Sequence, residues 1–183
     1  MRQSVISFFV RNAFRNEIEN KRVLEIGSRD VNGSVKPFIQ TFRPKEYVGI
    51  DLAAGPRVNV VLPAEQAVKY FGAESFDVVI STETLEHVED WRSVITNIKE
   101  VLMPSGYVFI TTVCQGYPLH DYPADCWRYE VEDMEKIFRD FNILVLREED
   151  DYAVFLKAQK PENWKPRNLK NIKLFNMETQ KQV

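Results

Sequence analysis

Cysteine and histidine are scarce in this chain of 183 residues, two of each, and glycine is sparse at seven. Two cysteines, Cys114 and Cys126, cannot build a disulfide framework or a cysteine-rich zinc site, so a reducing cytoplasm is the expected compartment. The loop around His120 offers one histidine and two aspartates, which barely suffice for a metal, and none is expected. Long apolar runs are missing too. The early stretch Val5 to Val10 is broken by Ser7 and ended by Arg11, too short for a membrane span and without the h-region or cleavage site of a signal peptide. No membrane association is expected. Charge of one sign is also lacking. Twenty-four Lys and Arg against 27 Asp and Glu leave a net charge of −3, which argues against a broad basic face for nucleic acid.

What is present is a 44% hydrophobic, 28% charged chain of the length expected for one domain. Ile6, Phe9, Val10, Ala13, Phe14 and Ile18 recur at helical spacing and predict one amphipathic helix over Ser4 to Asn20. Arg22 to Ile26 reads as a buried strand stopped by Gly27. Val35, Phe38, Ile39 and Phe42 mark a helix, Tyr47 to Ile50 a second strand ending at Asp51, and Arg57 to Leu62 a third, weaker one. A helix follows on Ala64, Ala67, Val68 and Phe71.

Phe76 to Ser81 reads as a central strand covered on both faces. Trp91, Val94, Ile95, Ile98, Val101 and Leu102 form a helical stripe capped by Asp90 and stopped by Pro104 and Gly106. Tyr107 to Val113 is the next strand, and Met134, Ile137 and Phe138 mark a last helix. Phe141 to Arg147 and Tyr152 to Ala158 are too close for a parallel crossover, so they form an antiparallel hairpin. The alternation predicts an α/β fold: a Rossmann-like, mostly parallel, seven-stranded sheet with helices on both faces and a C-terminal antiparallel hairpin. Residues 1–159 form the single domain, with residues 1–20 as its N-terminal helix. Residues 160–183 are a tail, docked as a helix or disordered.

Sheets of this kind bind ligands at the carboxyl ends of their strands, near the point where strand order reverses. After the first strand comes Glu25-Ile26-Gly27-Ser28-Arg29-Asp30-Val31-Asn32-Gly33, where glycine permits a sharp turn and close approach to a ligand. About 20 residues on, Asp51 ends the second strand, placed to accept hydrogen bonds from ribose hydroxyls. Together these suggest an adenosine-containing cofactor. A dinucleotide site needs G-x-G-x-x-G, which is absent, so a nicotinamide-dependent oxidoreductase is disfavoured. Glu25 beside the loop suits a cationic ligand such as a sulfonium amino acid better than a pyrophosphate.

Four segments, in order, carry a family resemblance. Val23-Leu24-Glu25-Ile26-Gly27 resembles the first motif of class I S-adenosylmethionine-dependent methyltransferases of the UbiE/UbiG-like (methyltransferase type 11) group. Tyr47-Val48-Gly49-Ile50-Asp51 is similar to the second motif. Phe76-Asp77-Val78-Val79-Ile80-Ser81 with Glu83-Thr84-Leu85-Glu86-His87-Val88 resembles the fourth-strand motif. Val101-Leu102-Met103-Pro104-Ser105-Gly106-Tyr107 resembles the turn before strand five. The likeness covers roughly Arg22 to Gln159. It implies S-adenosylmethionine as cofactor and S-adenosylhomocysteine as product. It implies that Glu25, Gly27, Ser28, Arg29 and Gly33 form the loop around the methionine and adenosine. Asp51 would hold the ribose, with Leu52 beside it also in the cofactor site; Leu62, Pro63 and Ala64 would flank the adenine, and Thr82 and Glu83 would line the methionine end. Arg29 and Val31 stand where the family has glycines, and Asn32-Gly33 is expected to supply the turn later.

The stretch Gly116 to Tyr129 corresponds to the family's acceptor region, with Tyr117, His120, Asp121, Trp127 and Arg128 as candidate pocket residues. The alternative is a rigid loop in which Arg128 pairs with Asp121 or Asp125. His87 and His120 are candidate general bases for an acceptor that must lose a proton. The alternative for His87 is packing under the following helix. Glu86 and Glu89 read as solvated or capping. The implied function is methyl transfer by in-line displacement to a small-molecule acceptor. The rival is a nonenzymatic module that keeps the fold and binds the adenosyl cofactor or a protein partner. Lys160, Lys165, Arg167, Lys170 and Lys173 in the tail leave room for RNA or an acidic partner. Oligomeric state is not legible.

Overall fold

The computed structural model describes residues 1–120 and 124–183. A seven-stranded sheet runs in the order β3-β2-β1-β4-β5-β8-β7, with strands β1 (Arg22–Ile26), β2 (Glu46–Asp51), β3 (Val60–Val61), β4 (Phe76–Thr82), β5 (Leu102–Val113), β7 (Asn142–Glu149) and β8 (Ala153–Gln159). β1 pairs in parallel with both β2 and β4, so strand order reverses between β1 and β4. β8 lies antiparallel between β5 and β7, the expected hairpin. The predicted fold class is observed.

Alternating side chains of the buried strands point to opposite faces and build two cores. On one face Leu24, Ile26, Val79, Val108 and Ile110 pack under α4 (Ala67–Phe71), α5 (Trp91–Val101) and α6 (Val131–Phe138). On the other, Val23, Val78, Ile80, Phe109 and Phe155 pack under α1 (Gln3–Asn12), α2 (Arg15–Ile18) and α3 (Lys36–Gln40). Asp90 caps α5 as expected, its Oδ1 accepting the Ser93 N–H at 3.1 Å.

The N-terminal helix departs from the expectation of one continuous helix. Ala13 and Phe14 are extended and separate α1 from α2. The buried Glu17 explains the break: one carboxylate oxygen accepts the Phe14 N–H at 3.1 Å and the other holds Lys157 Nζ at 2.6 Å. Lys157 also donates to the Asn12 carbonyl at 2.8 Å, which ends α1. Val5, Phe8 and Phe9 therefore face the sheet, while Val10 and Phe14 of the predicted stripe are exposed.

The third strand is shorter than expected. Arg57 is left-handed at φ +71°, and Asn59 is tied to Gly49 through its N–H and its side-chain oxygen, so 57–59 is a turn and only Val60–Val61 pair with β2. β5 begins five residues early, at Leu102, across a register shift opposite Phe76/Val78. Ser105, where the resembled family has glycine, sits there at φ +62°. A left-handed non-glycine costs roughly 1–2 kcal/mol. Ser105→Gly is therefore expected to raise the melting temperature by a few degrees, checked by a thermal melt.

Residues 160–183 form neither a helix nor a chain free of the domain. β9 (Phe175–Asn176) pairs antiparallel with β6 (Trp127–Arg128) and with β10 (Lys181–Gln182), making a second, three-stranded sheet. Leu169 and Leu174 are buried in the main core. Lys160 is buried as well, donating to the Leu102 carbonyl at 2.6 Å and lying over Trp164, so it is no part of an exposed basic face. Lys165, Arg167, Lys170 and Lys173 are exposed. Among the described residues no helix is long and apolar enough to cross a membrane.

Candidate active site

The carboxyl ends of β1, β2 and β4 meet at the strand-order reversal, where such folds bind ligands. The N–H groups of Gly27 and Ser28 both donate to the Ile50 carbonyl at 3.0 Å, joining the β1 loop to β2. Asp51, half-buried at the end of β2, accepts from the Arg29 N–H through Oδ2 and from the Ala53 N–H through Oδ1, each at 3.1 Å. Two backbone donors thus hold its carboxylate in one orientation, and each oxygen retains lone pairs. Leu52 beside it is 68% exposed, an apolar surface at a strand end with nothing covering it. Leu62 is buried and Pro63 half-buried at the end of β3, on the same side of the sheet sequence.

The loop after Gly27 is reshaped by side chains where glycines are expected. Asp30 accepts the Gly33 N–H at 2.8 Å and Arg57 Nε at 2.6 Å, and its carboxyl is held below the ordinary range chiefly by Arg57. Gly33 has φ +122°, so the late turn falls on the glycine of the Asn32-Gly33 pair. Gly27 itself lies at φ +73°, and a Cβ there would run into the Thr84 side chain of the β4 loop. Gly27→Ala combines left-handed strain of about 1–2 kcal/mol with a displaced Thr84. A destabilisation of about 2 kcal/mol is expected from denaturant titration.

Ser28 Oγ and Ser81 Oγ, both buried near these strand ends, lack a partner among the described residues; Glu25 Oε2 and Tyr47 Oη are buried together and interact with each other. Unpaired buried polar atoms are costly and rare in folded proteins; Glu25 shares the Val23 face of the sheet, Ser81 shares the Ile26 face, and Ser28 follows β1. Burial pushes the Glu25 carboxyl up to about 7, against smaller opposing effects of Tyr47, Lys36 and Arg57 and with a further push from Asp30.

Beyond β4, Glu83 is left-handed at φ +50°. Its Oε1 accepts the Thr111 hydroxyl at 2.9 Å, and its other oxygen pairs with Arg2. Thr82 is buried. Arg2 also donates to the Asp151 carbonyl at 3.0 Å and stacks on Tyr117, 4.9 Å from the ring centre. It thereby ties the N-terminal segment to loops after β4 and β5 and to the β7–β8 turn. Arg2 escaped sequence reasoning because nothing near it in the chain marks it; its partners lie at least 81 residues away.

Glu86 corrects an expectation. Read as solvated or capping, it is fully buried in the turn Leu85–His87, with Oε2 accepting the Thr112 hydroxyl at 2.9 Å and Oε1 unpartnered among the described residues. Burial first, then the Glu83 charge, pushes its carboxyl up to about 8. Glu89 is exposed, as expected. His87 is half-buried, its Nδ1 bonded to the Ala124 carbonyl, and burial lowers its pKa. The two histidines, 33 positions apart in sequence, meet edge to face with ring centres 4.9 Å apart.

Of the acceptor-region candidates, Tyr117 packs on His120 at 5.0 Å and, with Arg128, lines a shallow groove shared with Phe175, Met177 and Gln180. Trp127 is turned inward, its Nε1 donating to the Val88 carbonyl at 2.8 Å. Arg128 is buried in a bidentate pair with Asp125, at 2.5 and 2.7 Å, the rigid-loop arrangement. Asp121 lies outside the described residues. Burial pushes the Cys114 thiol up to about 12 and raises Cys126 as well, so neither is a thiolate nucleophile at neutral pH.

A strand-order reversal flanked by an acid that ends β2 and a left-handed glycine after β1 is the place where Rossmann-like sheets bind ligands. The family model described as "Methyltransferase domain" matches residues 1–149, and the chain belongs to that family. It is 30% identical over 159 residues to the ubiquinone biosynthesis O-methyltransferase of Cronobacter sakazakii, covering 79% of this chain and 59% of that one. It is 27% identical over 138 residues to the fatty-acid O-methyltransferase of Mycolicibacterium smegmatis, covering 70% and 48%. The chain spans about half the length of the curated relatives it matches first. Its fold is shared with the Burkholderia thailandensis 1,6-didemethyltoxoflavin-N1-methyltransferase, solved with S-adenosylhomocysteine, at TM-score 0.65 and 14% identity over 87% of this chain and 77% of that one. An S-adenosylmethionine-dependent methyltransferase from Mesorhizobium loti aligns at TM-score 0.60 and 15% identity, over 79% and 93%.

Proposed function

We propose that this chain transfers a methyl group from S-adenosylmethionine to a small-molecule acceptor. The observation that supports this most is the Asp51 carboxylate, oriented by the Arg29 and Ala53 N–H groups beside the exposed Leu52, with the buried Glu25 in the strand next to it. These residues fit the cofactor: an acid for two ribose hydroxyls, an apolar surface for adenine, and a buried carboxyl for a cationic amino acid. Bound S-adenosylmethionine supplies a sulfonium-activated methyl, which leaves by in-line displacement to an acceptor oxygen, nitrogen or carbon.

The chain's own task is alignment, which can supply much of the barrier reduction when reacting atoms are held in place. Asp51 and Leu52 hold the adenosine, and Gly27, Ser28, Arg29 and Gly33 shape the loop over it. Glu25, the Thr82 hydroxyl and the Arg2-paired Glu83 form the polar side facing the methionine end. Tyr117 and the histidines border the acceptor side, and His87 or His120 is the base for an acceptor that must lose a proton. The named relatives are O-methyltransferases and the solved neighbour is an N1-methyltransferase, so both oxygen and nitrogen acceptors fit the reading. Two unpaired cysteines suit a reducing compartment such as the cytoplasm.

Calorimetric titration with S-adenosylmethionine and S-adenosylhomocysteine, with NAD as control, tests the reading. Binding of both adenosyl ligands and not NAD is the expected result. A folded protein that binds neither overturns it and leaves the nonenzymatic module.

Glu25 makes that binding pH-dependent. Its folded-state pKa of about 7 lies above the ordinary 4.5, so the carboxyl favours the fold while protonated, and stability declines as pH rises from about 4.5 to about 7. A cationic ligand favours the ionised form. Its affinity is therefore expected to fall about tenfold between pH 8 and pH 6, and Glu25→Gln is expected to flatten that profile.

A further inference from the structure

The turn after β4 and the loop after β5 bring together three side chains, Glu86, His87 and His120, each offering one ligand atom within 4.8 Å of the others. The hydrogen bonds around them divide their atoms into held and free. His87 Nδ1 bonds the Ala124 carbonyl. His120 Nδ1 lies 3.2 Å from the Pro118 carbonyl and 3.1 Å from Asp125 Oδ2. Carbonyl and carboxylate oxygens only accept, so each ring holds a proton on Nδ1, and in the neutral ring Nε2 is the lone pair left for a ligand. Glu86 is held through Oε2 by the Thr112 hydroxyl, and its Oε1 has no partner among the described residues although it is fully buried.

We infer that Glu86, His87 and His120 form a three-ligand site for a divalent transition-metal ion of the zinc class. Two imidazole nitrogens and one carboxylate oxygen are the donor set such ions take, and three protein ligands leave coordination positions open. The supports match what ligating histidines need: a backbone carbonyl behind one ring and a carboxylate behind the other fix tautomer and orientation. Asp125, behind His120, is in turn clamped by Arg128 at 2.5 and 2.7 Å. Metal–ligand bonds of about 2.0–2.2 Å set tetrahedral ligand atoms about 3.3 Å apart, so the cluster must close by about an ångström or more. His120 lies on a loop and half-exposed, which lets it make that move. The inference rests on ligand geometry and does not require the methyl-transfer reading, but it replaces the general-base role of the two histidines, whose Nε2 lone pairs the ion would occupy. Where that reading also holds, an ion here lowers the pKa of an acceptor hydroxyl, favouring acceptors that present an oxygen.

Cobalt(II) titration of the metal-stripped chain, followed by visible absorption, tests it without any turnover assay. A saturable one-to-one band is expected, displaced by zinc(II) and lost in His120→Ala and in His87→Ala. Circular dichroism spectra matching the wild type show that those variants remain folded. Asp125→Asn, outside the ligand set, is expected to weaken binding by about 10–100-fold. No band in the wild type, or an undiminished band in His120→Ala, overturns the site.

Discussion

Asp51→Ala is expected to weaken S-adenosylhomocysteine binding by about 100-fold while lowering the melting temperature of the unliganded chain by only a few degrees. A hydrogen bond to a charged group contributes about 1.5–3 kcal/mol, and a ribose presents two hydroxyls to this carboxylate. Loss of about 3 kcal/mol corresponds to roughly two orders of magnitude in affinity. The variant also frees the Arg29 and Ala53 N–H groups that the carboxylate holds at 3.1 Å, so the loop loses its fixed orientation as well as its ligand contact. Calorimetry measures the effect. A change under threefold would show that Asp51 is a turn residue and that the adenosine lies elsewhere. Asp51→Asn, which keeps the shape and one acceptor oxygen, is expected to fall between the two.

Asp125→Ala should be the most destabilising of these changes. Asp125 and Arg128 have almost no exposed side-chain surface and form a bidentate pair at 2.5 and 2.7 Å. Burial opposes the ionisation of Asp125, yet the hydrogen bonds from Arg128 and the His120 N–H hold its carboxyl below the ordinary range. Removing one member of a buried pair leaves an uncompensated charge and costs about 3–5 kcal/mol. For a chain of this size that is a fall in melting temperature of roughly 6–20 °C by calorimetry. Asp125→Ala with Arg128→Met, which removes both charges, is expected to recover part of the loss. A double variant no more stable than the single would place the cost in packing instead of charge.

Both predictions concern strand ends and the loops beyond them, but Asp51 is set by local sequence and the Asp125–Arg128 pair by burial. The acid at Asp51 is visible in the sequence because the signal is local. A buried run from Arg22 to Ile26, a glycine and an acid about 20 residues later follow from strand burial and turn chemistry alone. The same locality makes α5 and its Asp90 cap, β4, and the β7–β8 hairpin legible. Each is decided by side-chain period or by a connection too short to cross over.

What escaped was decided by distance. The break between α1 and α2 depends on Glu17 finding Lys157, 140 residues away. Glu86 is buried only because Thr112 of the neighbouring strand receives it. The tail forms strands because Trp127–Arg128 presents an edge to Phe175–Asn176. His87 and His120 each look isolated, and a loop with one histidine offers no metal; the parallel pairing of β4 with β5 puts their following loops side by side. The sequence by itself determined the alternation of strands and helices, the strand-end loop and the acid opposite it, because periodicity and turn propensity act over a few residues. The tertiary structure alone decided which buried charges are paired, which are left unsatisfied, and which histidines meet, because long-range burial and pairing set those energies.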